Sequence, residues 1–222
     1  MNTSYEKNQS VDILLCTYNR AHLIEQAVTS VQQQKYSNLT LLVIDDGSTD
    51  TTRDVITRLA SKDERIFYYF YEHRGLANAR NMGIDLSRGD YITFIDSDDS
   101  YLPDHLTLRV QYLRENQTID LLHGGVELIG PEHEKYVVDA QDRSKLIHLT
   151  DCCIGATLFG KAQVFKQLNG FKIIDYSSES DFLARAEQSF TVRKVHFPTY
   201  QYFLEHEDRT CKSIKQKSQC SE

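Results

Sequence analysis

Residues 91–99 read Tyr91-Ile92-Thr93-Phe94-Ile95-Asp96-Ser97-Asp98-Asp99, a run of β-branched and aromatic residues that ends in three carboxylates. Such a run predicts a buried strand. Two earlier apolar runs also end in polar segments, Cys16-Thr17-Tyr18-Asn19-Arg20 and Asp45-Asp46-Gly47-Ser48-Thr49-Asp50. Because open parallel sheets bind ligands outside the carboxyl ends of their strands, we expect the three polar segments to meet at one edge of a sheet.

Short apolar runs alternate with segments of helical period through the first half of the chain. We predict strands at residues 11–16, 39–44, 65–70 and 91–95. The apolar spacing between them predicts crossover helices. The third helix spans about residues 75–87, with Leu76, Ala79, Gly83 and Leu86 facing inward, and a fourth follows Pro103. This alternation is typical of βαβ units and a largely parallel sheet, so we predict an α/β fold.

The second half of the chain is less regular. Strands are predicted at residues 121–129, 136–138 and 191–195, and helices at 161–168 and about 179–188. No linker rich in proline, glycine or serine separates the two halves of the sequence, which favours a single domain over residues 11–210. Residues 1–10 are interpreted as a polar N-terminal extension, and residues 211–222 are expected to form a disordered tail.

The charge balance argues against a protein that holds nucleic acid. Lys and Arg number 25 against 32 Asp and Glu, giving a net charge of −7, whereas nucleic-acid binding relies on cations that neutralise phosphates. No apolar run approaches the ~18 residues of a membrane span, and the N-terminal segment lacks the apolar core of a signal peptide. We therefore expect a cytoplasmic protein. Lys212, Lys215 and Lys217 leave open a peripheral contact with an anionic membrane.

The segment Asp96-Ser97-Asp98 predicts a site for a hard divalent cation. Mg²⁺ and Mn²⁺ take carboxylate oxygens and complete their shells with water and substrate phosphates. The implied ligand therefore carries a diphosphate. The chain contains neither G-x-G-x-x-G nor G-x-x-x-x-G-K-[ST], which argues against the usual dinucleotide-binding and P-loop sites. The nucleotide site must be of another kind.

Four motifs in order resemble the family 2 glycosyltransferases of the GT-A fold. They are the segments that begin at Cys16 and Asp45, then Gly75-Leu76-Ala77-Asn78-Ala79-Arg80-Asn81, then Asp96-Ser97-Asp98-Asp99. The resemblance covers about residues 11–206 and implies a single-domain GT-A fold, a Rossmann-like, mostly parallel sheet flanked by helices. Its nucleotide-binding half would span residues 11–100, and an irregular acceptor half would span 101–210. The implied activity is transfer of a sugar from a nucleotide-diphosphate sugar to an acceptor hydroxyl, with inversion at the anomeric carbon.

The resemblance also assigns the nucleoside side of the site. It places the first-strand segment, including Cys16 and Arg20, against the nucleoside. Tyr18 would stack on the base, and Asp45 would accept a hydrogen bond from the base edge. Cys16 departs from the Pro or Thr that is more usual in the family, which matters little because the implied contact is made mainly by the backbone.

For the rest of the donor, the resemblance implies a cationic and a metal-binding part. Arg74 and Arg80 flank the third helix, whose N-terminus and positive charge would favour the anionic donor. Asp96 would lie near the ribose, and Asp98 would bind Mn²⁺ or Mg²⁺. His206, in a late segment that resembles the family's, is a further candidate metal ligand.

An inverting displacement needs a base that takes the proton of the acceptor hydroxyl. The resemblance implies an acidic pair at the start of a late helix, here within residues 178–185. Alignment on Arg185 puts Glu179 at the usual position of the base, whereas chemistry alone would also allow Asp181. Residues two apart do not share a helix face, so at most one of them points at the acceptor. Glu179 ranks first.

Two rival functions stay open at this point. One is a nucleotide-sugar-binding module without transfer activity, because Ser178-Glu179 departs from the usual Glu-Asp spelling. The other is a Mg²⁺-dependent phosphatase with its nucleophile in Asp96-Ser97-Asp98, although that chemistry expects an Asp pair after the first strand, where Cys16-Thr17-Tyr18 stands. For sugar transfer, the favoured donor is a UDP-sugar carrying a hexosyl or N-acetylhexosaminyl group. The acceptor would be a glycan, a lipid-linked compound or another hydroxyl compound, in polysaccharide or glycan assembly.

Overall fold

The computed structural model describes residues 8–139 and 142–206. Its strands are β1 (Val11–Thr17), β2 (Leu39–Asp45), β3 (Ile66–Phe70), β4 (Tyr91–Asp96), β5 (Ser100–Tyr101), β6 (Leu121–Ile129), β7 (Tyr136–Val138), β8 (Leu146–His148), β9 (Phe159–Lys161) and β10 (Val192–Phe203). Its α-helices are α1 (Ile24–Gln32), α2 (Thr52–Ala60), α3 (Leu76–Leu86), α4 (His105–Glu115), α5 (Ala162–Gln167) and α6 (Ser178–Ser189). The predicted tail at residues 211–222, and most of the predicted extension at residues 1–10, lie outside the described residues.

An eight-stranded sheet runs through the molecule in the order β3-β2-β1-β4-β9-β6-β10-β5. β1 pairs in parallel with β2 and β4, β2 with β3, and β6 with β10. The short strands β5 and β9 are antiparallel to their neighbours. Helices pack on this sheet, among them α3 on β1 and β2 and α5 on β4. The predicted mostly parallel α/β sheet flanked by helices is confirmed.

The apolar spacing along the crossover helices seats them on the sheet. In α1, Ile24, Ala27, Val28 and Val31 are all buried, as a stripe with this spacing requires.

Within residues 8–139 and 142–206, no helix has the length and apolar character needed to cross a membrane.

Helix α3 approaches the sheet closely and begins at the edge formed by the carboxyl ends of the strands. Gly83 permits the approach, because a Cβ there would lie 3.0 Å from a methyl group of Leu14. Ala79 is buried as predicted, but Leu76 is 44% exposed. The inward orientation predicted for Leu76 is therefore wrong, because the first turn of α3 projects past the strand ends and faces two clefts instead of the core.

Strands β9 and β10 join the second half of the chain to the first. β9 lies between β4 and β6 and pairs with both. β10 is longer than the predicted strand at residues 191–195, because it continues past a register shift between Val195 and Tyr200. Pro198 lies inside this irregularity and lacks the N–H that a continuous ladder needs.

Candidate active site

A first cleft, with a volume of about 320 Å³, opens at the carboxyl ends of β1, β2 and β4. Its lining includes Tyr18, Asp46 and Asp98, which come from the segments after these three strands, and His73 from the loop before α3. The three polar segments of the sequence thus meet at one edge of the sheet, as the strand order dictates.

A second cleft, with a volume of about 610 Å³, lies beside the first. It is lined by the first turn of α3, by parts of β7 and β8, and by the start of α6 with Glu179. Leu76 and Tyr202 line both clefts. The two clefts therefore adjoin at these two side chains.

The second cleft combines an apolar wall with an acidic rim. Val137, Ile147, Ile154 and Leu183 contribute apolar surface, and Asp151, Asp175 and Glu187 contribute carboxylates. Ile173 and Ile174 are 72% and 46% exposed at its border. Such a surface suits a ligand that buries apolar atoms while its polar groups stay near water.

Tyr18, at the first cleft, is 42% exposed and stacks on the ring of His73. Nδ1 of His73 lies 2.9 Å from a carboxylate oxygen of Asp46. The same carboxylate accepts hydrogen bonds from the N–H groups of Arg74 and Gly75, both at 2.8 Å. Asp46 therefore fixes the loop that leads into α3 and shapes the wall of the first cleft.

Asp45, the last residue of β2, is fully buried. One of its oxygens accepts a hydrogen bond from the N–H of Ser48 at 2.8 Å, and the other accepts from the hydroxyl of Tyr68 at 2.6 Å. Burial and the nearby carboxylate raise the pKa of Tyr68. Of the two consecutive acids, Asp46 lines the cleft and Asp45 does not. The base-edge contact assigned to Asp45 stays a prediction.

Arg80 lies buried between Asp96 and Glu179. Its Nη2 is 3.3 Å from Oδ1 of Asp96, and its Nη1 is 3.7 Å from Oε1 of Glu179. Burial alone would lower the pKa of Arg80, but the attraction of both carboxylates outweighs it and raises that pKa. Burial raises the pKa of Asp96, and the guanidinium of Arg80 opposes this effect. The carboxylate that follows β4 is thus paired, as its position at a buried strand end requires.

The neighbouring carboxylates Asp98 and Asp99 have different surroundings. Asp99 is buried and accepts hydrogen bonds from the hydroxyl of Tyr200 at 2.7 Å and from the N–H of Phe203 at 3.0 Å. Burial, with Asp98 and Asp96 adding to its effect, raises the pKa of Asp99 well above its ordinary value. The hydroxyl of Tyr200 also accepts from the N–H of Asp96 at 3.2 Å. The loop after β4 is thereby fastened to β10.

The carboxylates of the first cleft fit a divalent cation that is also bound by a substrate. In the described ranges, no group of three or more His, Cys, Asp and Glu could hold a metal ion by itself. Asp98 lines the first cleft, and none of the described residues forms a hydrogen bond or ion pair with its carboxylate. Mg²⁺ and Mn²⁺ are commonly bound by one or two carboxylates together with substrate phosphates. Asp98, with Asp96 beside it, is suited to that arrangement.

The remaining donor-side candidates are spread around the two clefts. Cys16 and Arg20 line the first cleft. Burial raises the pKa of the Cys16 thiol to about 12, so the thiol is protonated at neutral pH. Arg74 lines the second cleft, with 68% of its side chain exposed. His206, at the end of the described range, lies near the ring of Phe203 and outside the described lining of the first cleft. The functions assigned to these residues stay predictions.

Glu179 and Asp181, in the first turn of α6, have separate partners. Asp181 accepts from Nζ of Lys172 and from Nε of Arg185, both at 2.7 Å. Burial acts to raise the pKa of Asp181, but these two cations outweigh it and hold the pKa below its ordinary value. Glu179 instead faces the second cleft and Arg80. Of the two acids, Glu179 has the position from which a carboxylate can reach a ligand.

Several residues of the site were not found from the sequence. Asp46 belonged to a motif, but the sequence does not show which of the two consecutive acids faces the cleft. That depends on the orientation of the side chains at the end of β2. His73 lies in a loop without periodicity, and Tyr202 lies in the part of β10 that follows the register shift. No sequence signal pointed to His73, whereas Tyr202 opens the late segment whose resemblance to the family made His206 a candidate.

Residues 12–159 match the model of the family described as glycosyl transferase family 2. The chain belongs to this family. The recognition of family 2 from four motifs is thereby confirmed. Among curated family relatives, the chain is 34% identical over 107 residues to the GalNAc(5)-diNAcBac-PP-undecaprenol beta-1,3-glucosyltransferase of Campylobacter jejuni, covering 47% of this chain and 35% of that protein. The chain spans less than half the length of the curated relatives it matches.

Solved structures share the fold of this family 2 member. S. aureus TarS 1-349, in complex with UDP-GlcNAc, has a TM-score of 0.73 at 16% identity, covering 92% of this chain and 60% of that chain. Mannosyltransferase PcManGT from Pyrobaculum calidifontis, in complex with GDP-Man and Mn²⁺, has a TM-score of 0.72 at 19% identity, covering 90% and 58% respectively. At these identities the likeness shows the fold alone. The GT-A fold predicted from the sequence is confirmed.

Proposed function

We propose that this family 2 member is an inverting glycosyltransferase that moves a sugar from a nucleotide-diphosphate sugar to an acceptor hydroxyl in glycan assembly. The observation that carries the proposal is the contiguity of the two clefts, which share Leu76 and Tyr202. The first cleft offers aromatic and acidic groups, and the second offers an apolar wall and Glu179. A donor in the first and an acceptor in the second would meet at their junction.

The donor binds in the first cleft, with the nucleoside near Tyr18 and Arg20. Asp98 would hold Mn²⁺ or Mg²⁺, with the diphosphate supplying further oxygen ligands. When bound there, the cation neutralises the charge that develops on the leaving diphosphate. Support comes from the two structural neighbours, whose complexes contain UDP-GlcNAc in one case and GDP-Man with Mn²⁺ in the other. We propose a UDP-sugar as the donor.

Glu179 takes the proton of the acceptor hydroxyl. As the acceptor oxygen attacks the anomeric carbon, the bond from that carbon to the diphosphate oxygen breaks, and the hydroxyl proton passes to the Glu179 carboxylate. Attack from the face opposite the leaving group inverts the anomeric configuration. Glu179 is preferred to Asp181 because the Asp181 carboxylate is engaged by Lys172 and Arg185.

The acceptor binds in the second cleft. The apolar wall suits an acceptor with an apolar portion, such as a lipid-linked glycan, and the Campylobacter relative is named for a PP-undecaprenol substrate. An acceptor of this kind would bring the protein to a membrane surface from the cytoplasmic side. Hexosyl and N-acetylhexosaminyl groups are the sugars proposed for transfer.

The test compares Glu179→Gln with Asp181→Asn, using UDP-Glc and UDP-GlcNAc, Mn²⁺ and a panel of glycan and lipid-linked acceptors. A positioned general base contributes about 10²- to 10⁴-fold in rate, so Glu179→Gln should lose that much transfer while UDP binding by calorimetry is unchanged. Asp181→Asn should retain transfer in its folded fraction.

Two results would change the assignment. If Asp181→Asn is the inactive variant, the base is Asp181 and the sequence register is wrong. The wild-type chain could instead bind UDP-sugars but neither transfer nor hydrolyse them with any acceptor of the panel. That result would support the hypothesis of a nucleotide-sugar-binding module and contradict the transferase proposal.

A further inference from the structure

Arg80 is a buried cation at the boundary between the two clefts. Only 3% of its side chain is exposed. Its guanidinium carbon lies 5.3 Å from the ring centre of Phe171 and 5.8 Å from that of Phe94, so aromatic rings limit its movement. One nitrogen contacts Asp96 of the first cleft and another faces Glu179 of the second. A single guanidinium thus links an acid of each cleft.

Arg80, which the family resemblance assigns to the donor site, is buried behind the surface of both clefts. Among the described residues, neither cleft has Arg80 in its lining, although Asp96 lines the first and Glu179 the second. A side chain that holds a diphosphate must reach the space the diphosphate occupies. The carboxylates lie between Arg80 and that space, so the action of Arg80 on a ligand passes through them.

We propose that Arg80 is a positioning residue that orients Glu179, the base of the proposed reaction, and fixes its place relative to Asp96. The inference rests on the proposed function, in which Glu179 takes the acceptor proton. Nη1 of Arg80 is a buried donor without a hydrogen-bond partner in the described ranges, and Oε1 of Glu179 lies 3.7 Å from it. An unpaired buried donor is costly, so Nη1 draws this carboxylate toward one orientation.

Gly155 preserves the space in which this contact forms. A Cβ added at Gly155 would lie 2.9 Å from Nη1 of Arg80 and 3.1 Å from Cβ of Glu179. Both distances are shorter than ordinary carbon contacts, so any side chain at this position would push the pair apart. Gly155→Ala therefore disturbs the position of the pair without removing either charge.

Removal of the Arg80 cation should lower the rate of transfer far more than the affinity for nucleotide. Arg80→Met leaves Asp96 and Glu179 without their shared partner, and Glu179, 26% exposed, can turn toward water. We expect kcat to fall on the order of 10²-fold, the usual cost of misplacing a reacting group by about 1 Å. The affinity for UDP with Mn²⁺ should fall far less, because Arg80 contacts Asp96 and not Asp98, the proposed holder of the cation. Gly155→Ala should show the same separation. Arg80→Lys should recover part of kcat, since it restores charge but not the two-pronged geometry.

A double-variant cycle tests whether Arg80 acts through Glu179. In a Glu179→Gln background, Arg80→Met should cost no further kcat, because the group it positions no longer serves as a base. Arg65→Met is the matched control. It removes a partly buried arginine paired with Asp63 at 2.8 Å, next to the amino end of β3 and away from both clefts. All rates are corrected for the folded fraction measured by thermal melting.

With an active enzyme, three results would overturn the proposal. A fall in UDP affinity that matches the fall in kcat would make Arg80 a donor contact, and kcat losses that multiply in the double variant would make it independent of Glu179. If Arg80→Met fails to fold, Gly155→Ala becomes the test, and an unaltered kcat in that variant would be the third result against the proposal. Failure of the proposed function is a separate outcome, seen as a wild-type chain without transfer activity. In that case, the contact between Arg80 and Glu179 is tested by measuring the free energy of unfolding of the Gly155→Ala, Glu179→Gln and double variants. Additive changes in this free energy would overturn the proposed contact.

Discussion

The imidazole ring of His73 stacks on the phenol ring of Tyr18, with ring centroids 4.2 Å apart and planes inclined by 28°. That separation leaves no space for a third ring between them. His73 belongs to the loop before α3 and is held by Asp46, yet 54% of its side chain is exposed. One face of Tyr18, the residue that the family resemblance assigns to the nucleobase, is therefore covered by a side chain from another loop.

We expect a bound nucleotide to displace His73 from Tyr18. Tyr18→Ala should weaken UDP binding by about 1–3 kcal/mol, the usual value of a base stacked on an aromatic side chain. His73→Ala should bind UDP more tightly than wild type, because no ring has to leave. Titration calorimetry measures both, with Phe67→Ala on β3 as the control for loss of an exposed ring. Weaker binding by His73→Ala would instead make His73 part of the base platform.

Asp98→Asn should abolish the metal dependence of nucleotide binding. The carboxylate lines the first cleft and carries no hydrogen bond from the described residues, so its loss should leave the melting temperature unchanged. In Mn²⁺, the variant should bind UDP as weakly as wild type does in EDTA. The control is Asp104→Asn, which removes an exposed acid paired with Lys35 at 3.0 Å. Equal wild-type affinity in EDTA and in Mn²⁺ would remove the metal from the donor site.

Asp45 and Asp46 are both candidates for the contact with the edge of the nucleobase. The family resemblance favours Asp45, and the position in the first cleft favours Asp46. Asp45→Ala deprives Ser48 and Tyr68 of a buried acceptor and should lower the free energy of unfolding by about 1–3 kcal/mol. We expect the affinity ranking of UDP, GDP and dTDP to change in Asp46→Asn and to persist in Asp45→Asn. The reverse pattern would restore Asp45 as the base contact.

His123 on β6 should make the fold less stable in mild acid. Burial, with Lys194 opposite it on β10, lowers the pKa of His123 to about 4. The unfolded chain, with a pKa of about 6.5, therefore binds more protons between these values, and stability falls as pH drops from about 6.5 toward 4. At about pH 5.5 this costs about 1 kcal/mol. Urea unfolding should show a flatter pH dependence for His123→Gln, and an identical slope would contradict the assignment.

The sequence predicted best those elements whose side chains are buried on both faces. The strands expected at residues 11–16 and 91–95 were found at Val11–Thr17 and Tyr91–Asp96. Their apolar runs are interrupted only by the buried residues Asp12 and Thr93 before the polar strand ends, as expected of central strands of a parallel sheet that are covered on both sides. The strand expected at residues 191–195 was found to extend to Phe203, because its second part is stabilised by pairing with distant strands rather than by local pattern.

The sequence predicted which types of residue form the site, but not which side chains each of them contacts. The acids after β4 could be recognised as a group, whereas the division between Asp98 in the cleft and Asp99 in the interior depends on Tyr200. Arg80 was recognised as a functional candidate of α3. Its position between Asp96 and Glu179 follows from how α3 and α6 are placed in the fold, and spacing along the chain carries no information about it.

The attachment of the Asp96 loop to β10 sets an order of events during synthesis. The Tyr200 hydroxyl braces the N–H of Asp96, 104 residues earlier in the chain, and Tyr202 completes the lining of both clefts. On the ribosome, all four sequence motifs emerge long before the strand that supports them. A nascent chain that has not reached β10 has every motif but an unfinished pocket. The lining of both clefts is therefore complete only after synthesis has passed Tyr202.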